Sequence, residues 1–258
     1  MKFEKVRLFV SAPRLDRYLL AVANKKTRAV RLYKANLKIS QAFLPVLAIL
    51  EVAIRNRLNT ILTAHFSDPD WITNQKNAFM IDPRLRRFDQ RTRRQIPNHT
   101  LRQQVEKAER KLRSARVTIT SGKVISEQTF GFWTEFFERS HYRILLGRPI
   151  QIFANLPPRH GRQIAYETLN NIRLFRNRLY HNEPICFNGN AIDFQKAEDI
   201  YDAIRDVYSW LDPELLRWIG DVDTVTKKIN SAKQIWLLRL ICLRGGRGLQ
   251  RPEKIRVL

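Results

Sequence analysis

The sequence predicts an all-α fold, on three observations. Apolar residues recur at intervals of three and four over long stretches, the period of one buried helix face. Only nine glycines interrupt 258 residues, so turn chemistry is confined to a few places. No segment alternates apolar and polar residues in the manner of a half-buried strand. A chain of this length has material for one large domain or two small ones, with a substantial core.

Along the chain, two short helical patterns, residues 14–23 and 26–35, precede the longest one, residues 38–65. There Ile39, Phe43, Val46, Leu47, Leu50, Ile54, Leu58, Ile61 and Leu62 keep the helical period. Turn formers at Ser67-Asp68-Pro69-Asp70, Ile81-Asp82-Pro83 and Ile96-Pro97-Asn98 mark loops. Helices are expected over residues 101–116 and 126–141, separated by Thr120-Ser121-Gly122, and Leu156-Pro157-Pro158 marks the next loop. Across residues 161–181, Ala165, Leu169, Ile172, Arg176 and Leu179 step by four, three, four and three. This is an apolar seam with one place taken by an arginine. It should end near His181, because Pro184 disfavours helical geometry at the residue before it.

The last clear helix covers residues 193–211, with Phe194, Ala197, Ile200, Ile204, Val207 and Leu211 on one stripe, ending at Asp212-Pro213. A boundary is expected after Gly220. It separates a helical domain over residues 1–220 from a basic extension over 221–258, partly flexible around Arg244-Gly245-Gly246-Arg247-Gly248. The tetrapeptide Arg-Asn-Arg-Leu at residues 55–58 and 176–179 is too short to signal an internal duplication.

Lys and Arg number 47 against 24 Asp and Glu, a formal net charge of +23. So basic a chain is expected to meet a polyanion. The charge is concentrated, since residues 82–116 hold twelve Lys and Arg against four acids, a net +8. A solvated helix face ordinarily mixes signs, so this stretch reads as a surface for a phosphate backbone. Arg86, Arg87, Arg93, Arg94 and Lys111 are its RNA-binding candidates. Phe88 is the only Phe, Tyr or Trp in the stretch, so no base-stacking platform is legible there. Phe130, Phe132, Trp133, Phe136 and Phe137 read as core at helical spacing.

Other chemistries lack an anchor. The five histidines are scattered without the spacing of a zinc site, and the two cysteines, Cys186 and Cys242, make neither a ligand cluster nor a disulfide framework. No metal and no cofactor is expected. Phosphate-binding and dinucleotide-binding glycine loops are absent, as is a Gly-x-Ser-x-Gly elbow. No run of 18 apolar residues occurs, the longest stretch being Ala42 to Leu50 with Pro45 inside it. The N-terminus does not read as a secretory leader. The expectation is a cytoplasmic protein with no membrane contact.

The hexapeptide Arg176-Asn177-Arg178-Leu179-Tyr180-His181 carries the chemistry. Asn177 and His181 are four apart and share a helical face, while Arg176, turned about 100° away, has a side chain long enough to reach round. Metal-free RNA cleavage needs a base for the 2′-hydroxyl proton, a cation on the phosphorus centre and an acid for the leaving 5′-oxygen. Histidine serves either proton role near neutral pH. The plainer alternative is that Arg176 pairs with an acid and His181 sits at a helix end. Glu51 is a candidate partner of the arginine. With Arg55 and Asn59 it forms a polar ridge at four-residue steps on an otherwise apolar helix, read as cleft support or as an exposed ion-paired ridge.

Over most of residues 10–210 the chain resembles the Abi-like family of bacterial abortive-infection proteins, whose Arg-Asn-x-x-x-His motif belongs to the HEPN superfamily. The resemblance rests on Ser11-Ala12-Pro13-Arg14-Leu15-Asp16-Arg17-Tyr18-Leu19, on Leu50-Glu51-Val52-Ala53-Ile54-Arg55-Asn56, and on Phe130-Gly131-Phe132-Trp133. It rests also on the segment from Leu174 to Pro184 around the motif, and on Ala29–Ala35, Asn36-Leu37 and Ala42-Phe43. It implies a HEPN-like helical bundle with additional N-terminal helices and a metal-independent endoribonuclease acting as an abortive-infection or toxin effector. A non-catalytic RNA-binding or regulatory protein of the same fold is the alternative. It further implies catalytic Arg176 and His181, an Asn177 that positions the phosphate or the histidine, and a homodimer whose two Arg–His pairs form one cleft. RNA is the implied substrate, and an antitoxin or phage-derived regulator a further partner class. Some HEPN toxins carry a modified tyrosine two residues after the histidine. That position is Glu183 in this chain.

Overall fold

The computed structural model describes residues 1–244. Most of the Gly-rich segment singled out above, from Gly245 on, therefore lies outside the described residues. The order of elements is α1 (Phe3–Val10), α2 (Ala12–Ala21), α3 (Lys26–Phe66), α4 (Trp71–Asn74), β1 (Arg86–Asp89), β2 (Arg94–Pro97), α5 (Thr100–Ser114), α6 (Ser121–Ser126), α7 (Phe130–Thr134), α8 (Arg139–Ile144), α9 (Arg162–Tyr180), β3 (Phe187–Asn188), β4 (Ala191–Ile192), α10 (Gln195–Leu211), α11 (Pro213–Trp218) and α12 (Val225–Arg244). The described residues are thus mostly helical, as the periodicity predicts.

The chain divides into two compact units, each assembled from separate segments, so neither coincides with residues 1–220. One unit combines residues 1–43, 184–198 and the chain from 224 on. Its core includes Leu15, Tyr18, Leu32, Ile39, Phe194 and Ile229, with Tyr18 edge-on to both Tyr33 and Phe187. Val225, Ile229 and Ala232 of α12 are buried, so the first part of the expected C-terminal extension is folded helix. The other unit combines residues 44–183 and 199–223. An aromatic cluster of Trp71, Phe79, Phe132, Trp133 and Phe136 fills its centre.

Four sequence expectations need correction. Residues 26–35 and 38–65 are one helix, α3, because Ala35, Asn36 and Ile39 carry the buried face through the supposed break. Asn36 is tolerated there because its buried Oδ1 accepts the Ile185 N–H at 2.8 Å. Pro45 lies inside α3 on its exposed side, where the single backbone bond it forfeits is not in the core. An α-helix over Phe3–Val10 was not expected; none of its residues is fully buried, and Phe3, Val6 and Val10 share only a half-buried face. The expected helix over 126–141 is broken into α7, a 3₁₀ turn and α8, and the Glu138 carboxylate caps α8 by accepting the Ser140 N–H at 2.8 Å.

The fourth correction concerns strands. β1 and β2 form an antiparallel hairpin with Arg86 opposite Pro97 and Phe88 opposite Gln95. Most of its residues are exposed, so no buried face imposes an alternating pattern that could have announced it. A second, minimal hairpin pairs β3 with β4. The dipeptide Gly189-Asn190 makes that turn, with Gly189 at a φ of 56°.

One window of α3 has a mean hydropathy of 1.8, so this helix is long and apolar enough to cross a membrane. Its Ile39, Phe43, Val46, Leu50, Ile54 and Leu58 are nonetheless wholly buried within the protein.

Candidate functional site

Helix α9 carries Arg176 and Asn177 and ends immediately before His181. Its buried seam runs Ala165, Leu169, Ile172, Phe175 and Leu179. Phe175, not Arg176, therefore fills the core between Ile172 and Leu179. Arg176 stands about 100° round at the edge of the seam, where its aliphatic stem is covered and its guanidinium reaches Glu51. The Nη2 to Oε2 distance is 3.1 Å, and both side chains retain 20% exposure. One turn further on, the Tyr180 ring centroid lies 4.2 Å from the guanidinium carbon, adding a cation–π contact. Arg176 is thus oriented from two sides.

The end of α9 is set by local chemistry. Asn182 adopts a left-handed φ of 53°, Glu183 N–H donates to Arg178 O at 2.9 Å, and Asn182 N–H donates to Leu179 O at 3.0 Å. This is a Schellman closure with asparagine where glycine is commonest, and Arg178 clamps it by a 3.1 Å ion pair to Glu183. Pro184 follows and prevents continuation, as expected. His181 is the C-cap residue and is exposed, and among the described residues its imidazole has no hydrogen bond or ion pair. Both elements of the plainer alternative are therefore present: Arg176 pairs with an acid, and His181 sits at a helix end. His181 N–H donates to Asn177 O at 3.0 Å, but no side-chain hydrogen bond joins Arg176, Asn177 and His181 to one another among the described residues.

The polar ridge on α3 is not a single feature. Glu51 turns to Arg176. Arg55 contacts the neighbouring Asn56 side chain at 3.4 Å, and Asn59 accepts the Trp71 indole N–H at 2.9 Å. Of the two proposed cleft-support residues, Glu51 touches the motif directly and Arg55 does not.

The basic stretch divides into two parts of different electrostatic character. On α5, Arg102 pairs with Glu106, and Glu109 takes Lys76 at 2.8 Å and Arg113 at 3.6 Å. Lys111, an RNA-binding candidate by sequence, is paired with Glu127 at 2.5 Å. The hairpin is different. Arg87, Arg93 and Arg94 are exposed and take part in no salt bridge among the described residues, and Arg86 donates to the Gln95 carbonyl at 3.1 Å. Arg139 and Arg143 of α8 line a cleft with Arg84, Arg86 and Arg87, although they lie outside residues 82–116. Their spacing of four is the signal that could have found them.

Beneath that cleft lies a buried titratable group. His141 is wholly buried, its Nδ1 3.4 Å from Glu138 Oε2 and 3.8 Å from Glu135 Oε2. Burial alone would raise the Glu138 pKa, but the His141 ring and the Ser140 donors outweigh it and hold the carboxyl down at about 2. Burial pushes Glu135 up. Elsewhere, burial pushes the Cys186 thiol up to about 12, which makes it a poor nucleophile. Among the described residues no group of three or more His, Cys, Asp or Glu is arranged to hold a metal ion. No protein-family model, curated protein or solved structure matches this chain.

Proposed function

We propose that this protein is a metal-independent endoribonuclease of the HEPN type, an effector of the abortive-infection or toxin kind resembling the Abi-like proteins. The observation that carries the reading is the pairing of an arginine oriented by Glu51 and Tyr180 with a solvent-facing histidine five residues on, at the helix end. In the reaction the 2′-oxygen attacks phosphorus and the bond to the 5′-oxygen breaks. One imidazole takes the 2′ proton, an acid returns a proton to the 5′-oxygen, and a 2′,3′-cyclic phosphate remains. Arg176 neutralises the charge that accumulates on the phosphoryl oxygens, and Asn177, one turn before His181, orients the phosphate or the ring.

One motif histidine per chain leaves the second proton role open, and a twofold homodimer fills it with the partner copy's residue. Exposed apolar residues on the two helices joined by the ion pair, Leu44 and Val52 of α3 and Leu174 and Tyr180 of α9, fit such a contact. Such an effector requires restraint, for which an antitoxin or phage-derived regulator is the partner class.

The second reading, a non-catalytic RNA-binding protein, is favoured by the absence, among the described residues, of any hydrogen-bond partner orienting the His181 ring. Mixed RNA incubated with the protein in excess EDTA separates the two. His181→Ala should lower cleavage by about 10²- to 10⁴-fold with RNA affinity nearly unchanged. Equal cleavage by parent and variant would rule out His181 as the catalyst. Light scattering that gives a monomer at micromolar concentration would count against the composite site.

A further inference from the structure

We infer that the cleft between the β1–β2 hairpin and α8 is a channel for single-stranded RNA, with phosphates held by its arginines and a base stacked on Phe88. The inference rests on the reading that RNA is the partner, and is independent of whether Arg176 and His181 cleave it. The cleft encloses about 800 Å³, within the range of sites that hold nucleotide-sized ligands.

Five arginines from two elements converge on it: Arg84, Arg86 and Arg87 from the hairpin side, and Arg139 and Arg143 from α8. Arg84 is neutralised by Asp82 at 2.7 Å. Arg86, Arg87, Arg139 and Arg143 take part in no salt bridge among the described residues. The carboxylate that lines the same cleft, Glu138, makes no salt bridge to any of them, its Oε2 accepting the Ser140 N–H and hydroxyl, and one carboxylate against four arginines leaves the cleft net positive. A concave surface with this much uncompensated positive charge is complementary to a polyanion.

The aromatic selects among polyanions. Phe88 is 58% exposed, although Trp71, Phe132, Trp133 and Phe136 of the same unit are wholly buried. It lies two residues from Arg86 on β1, and so on the same strand face. One nucleotide can therefore set its phosphate on Arg86 and its base on Phe88. A duplex keeps its base faces within the stack, whereas a single strand can turn one onto an aromatic ring. The Ser140 hydroxyl, whose proton goes to Glu138, lies 3.4 Å from the Arg86 carbonyl oxygen, so the hairpin and α8 are close neighbours across the cleft.

The test is fluorescence anisotropy of the full chain with a labelled 2′-O-methyl oligouridylate, which lacks the attacking hydroxyl and stays intact, beside an RNA duplex of equal length. Phe88→Ala should weaken single-strand binding by about 5- to 150-fold, the usual worth of one stacked base, and leave duplex binding within about twofold. Arg139→Gln with Arg143→Gln should lower the salt slope for the single strand by about 1.4, at roughly 0.7 per phosphate contact. Arg57→Gln with Arg217→Gln, the same loss of charge at exposed positions, should leave the slope unchanged.

If the Phe88 and α8 variants bind like the parent while Arg93→Gln with Arg94→Gln weakens binding, the channel is overturned and the RNA reading stands. If the parent binds neither RNA at low salt yet binds polyglutamate, both fall. Circular dichroism spectra matching the parent's establish that each variant is folded.

Discussion

Glu51 and Arg176, 125 residues apart, form an ion pair that ties α3 to the motif, and a double-mutant cycle tests it directly. Glu51→Ala and Arg176→Ala are made singly and together, and the stability of each is measured by urea denaturation. At the observed 3.1 Å two unit charges attract by about 5 kcal/mol at an effective dielectric constant near 20. Desolvation and the fixing of two long side chains offset most of this. With both side chains 20% exposed, the pair falls between fully exposed pairs, below about 1 kcal/mol, and fully buried ones, at about 3–5 kcal/mol. The expected coupling is about 1–2 kcal/mol.

A coupling below about 0.3 kcal/mol would show that the pair does not form in solution, and Arg176 would lose its fixed orientation. Cleavage supplies a second readout. Arg176→Ala should cost about 10²- to 10³-fold, and Glu51→Gln less, since it loosens the fork without removing it. Arg176→Lys should not restore the rate, because a point ammonium cannot reproduce the planar contact with Tyr180.

Closure of α9 by Asn182 predicts that Asn182→Ala costs about 1 kcal/mol and Asn182→Gly almost nothing; chemical denaturation giving the reverse order would refute a left-handed C-terminus. The Glu138 carboxyl, held at about 2 in the folded protein against an ordinary 4.5, contributes stability that is complete above the unfolded value and is lost as pH falls through 4.5 towards 2. Glu135, pushed up by burial, contributes with the opposite sign and offsets part of it. Glu138→Gln should therefore flatten the acid limb of stability by about 3 kcal/mol at most, and an unchanged limb by pH-dependent denaturation would deny the Glu138–His141–Ser140 arrangement. Glu109→Ala strands Lys76 in a largely buried position and should destabilise by about 3 kcal/mol, whereas Lys76→Met with Glu109→Leu should recover most of the loss; equal melting temperatures for the single and double variants would contradict a buried pair.

For α9 and α10, each with one continuous buried stripe, the amino-acid pattern alone determined the helix. The stripes on α9 and α10, the aromatic run from Phe130 to Phe137 and the stop at Asn182-Glu183-Pro184 are written in residue spacing, because burial of one face demands the helical period and a left-handed closure demands a tolerant residue. Elements with no buried face left no such record. Helix α1 has no fully buried residue and the arginine hairpin is exposed on six of its eight, so neither carries a deeply buried stripe. The seam on α9 marked Arg176 as unusual and made Glu51 a candidate for it, but only tertiary structure decided that the two meet, that Arg55 and Asn59 turn elsewhere, and that Phe175 takes the core place. It likewise neutralised Lys111 with Glu127 and brought Arg139 and Arg143 beside Arg86. Periodicity reports whether a face is buried and says nothing of what buries it; charge pairing across more than a few turns depends on how elements cross, which is a property of the whole packed chain.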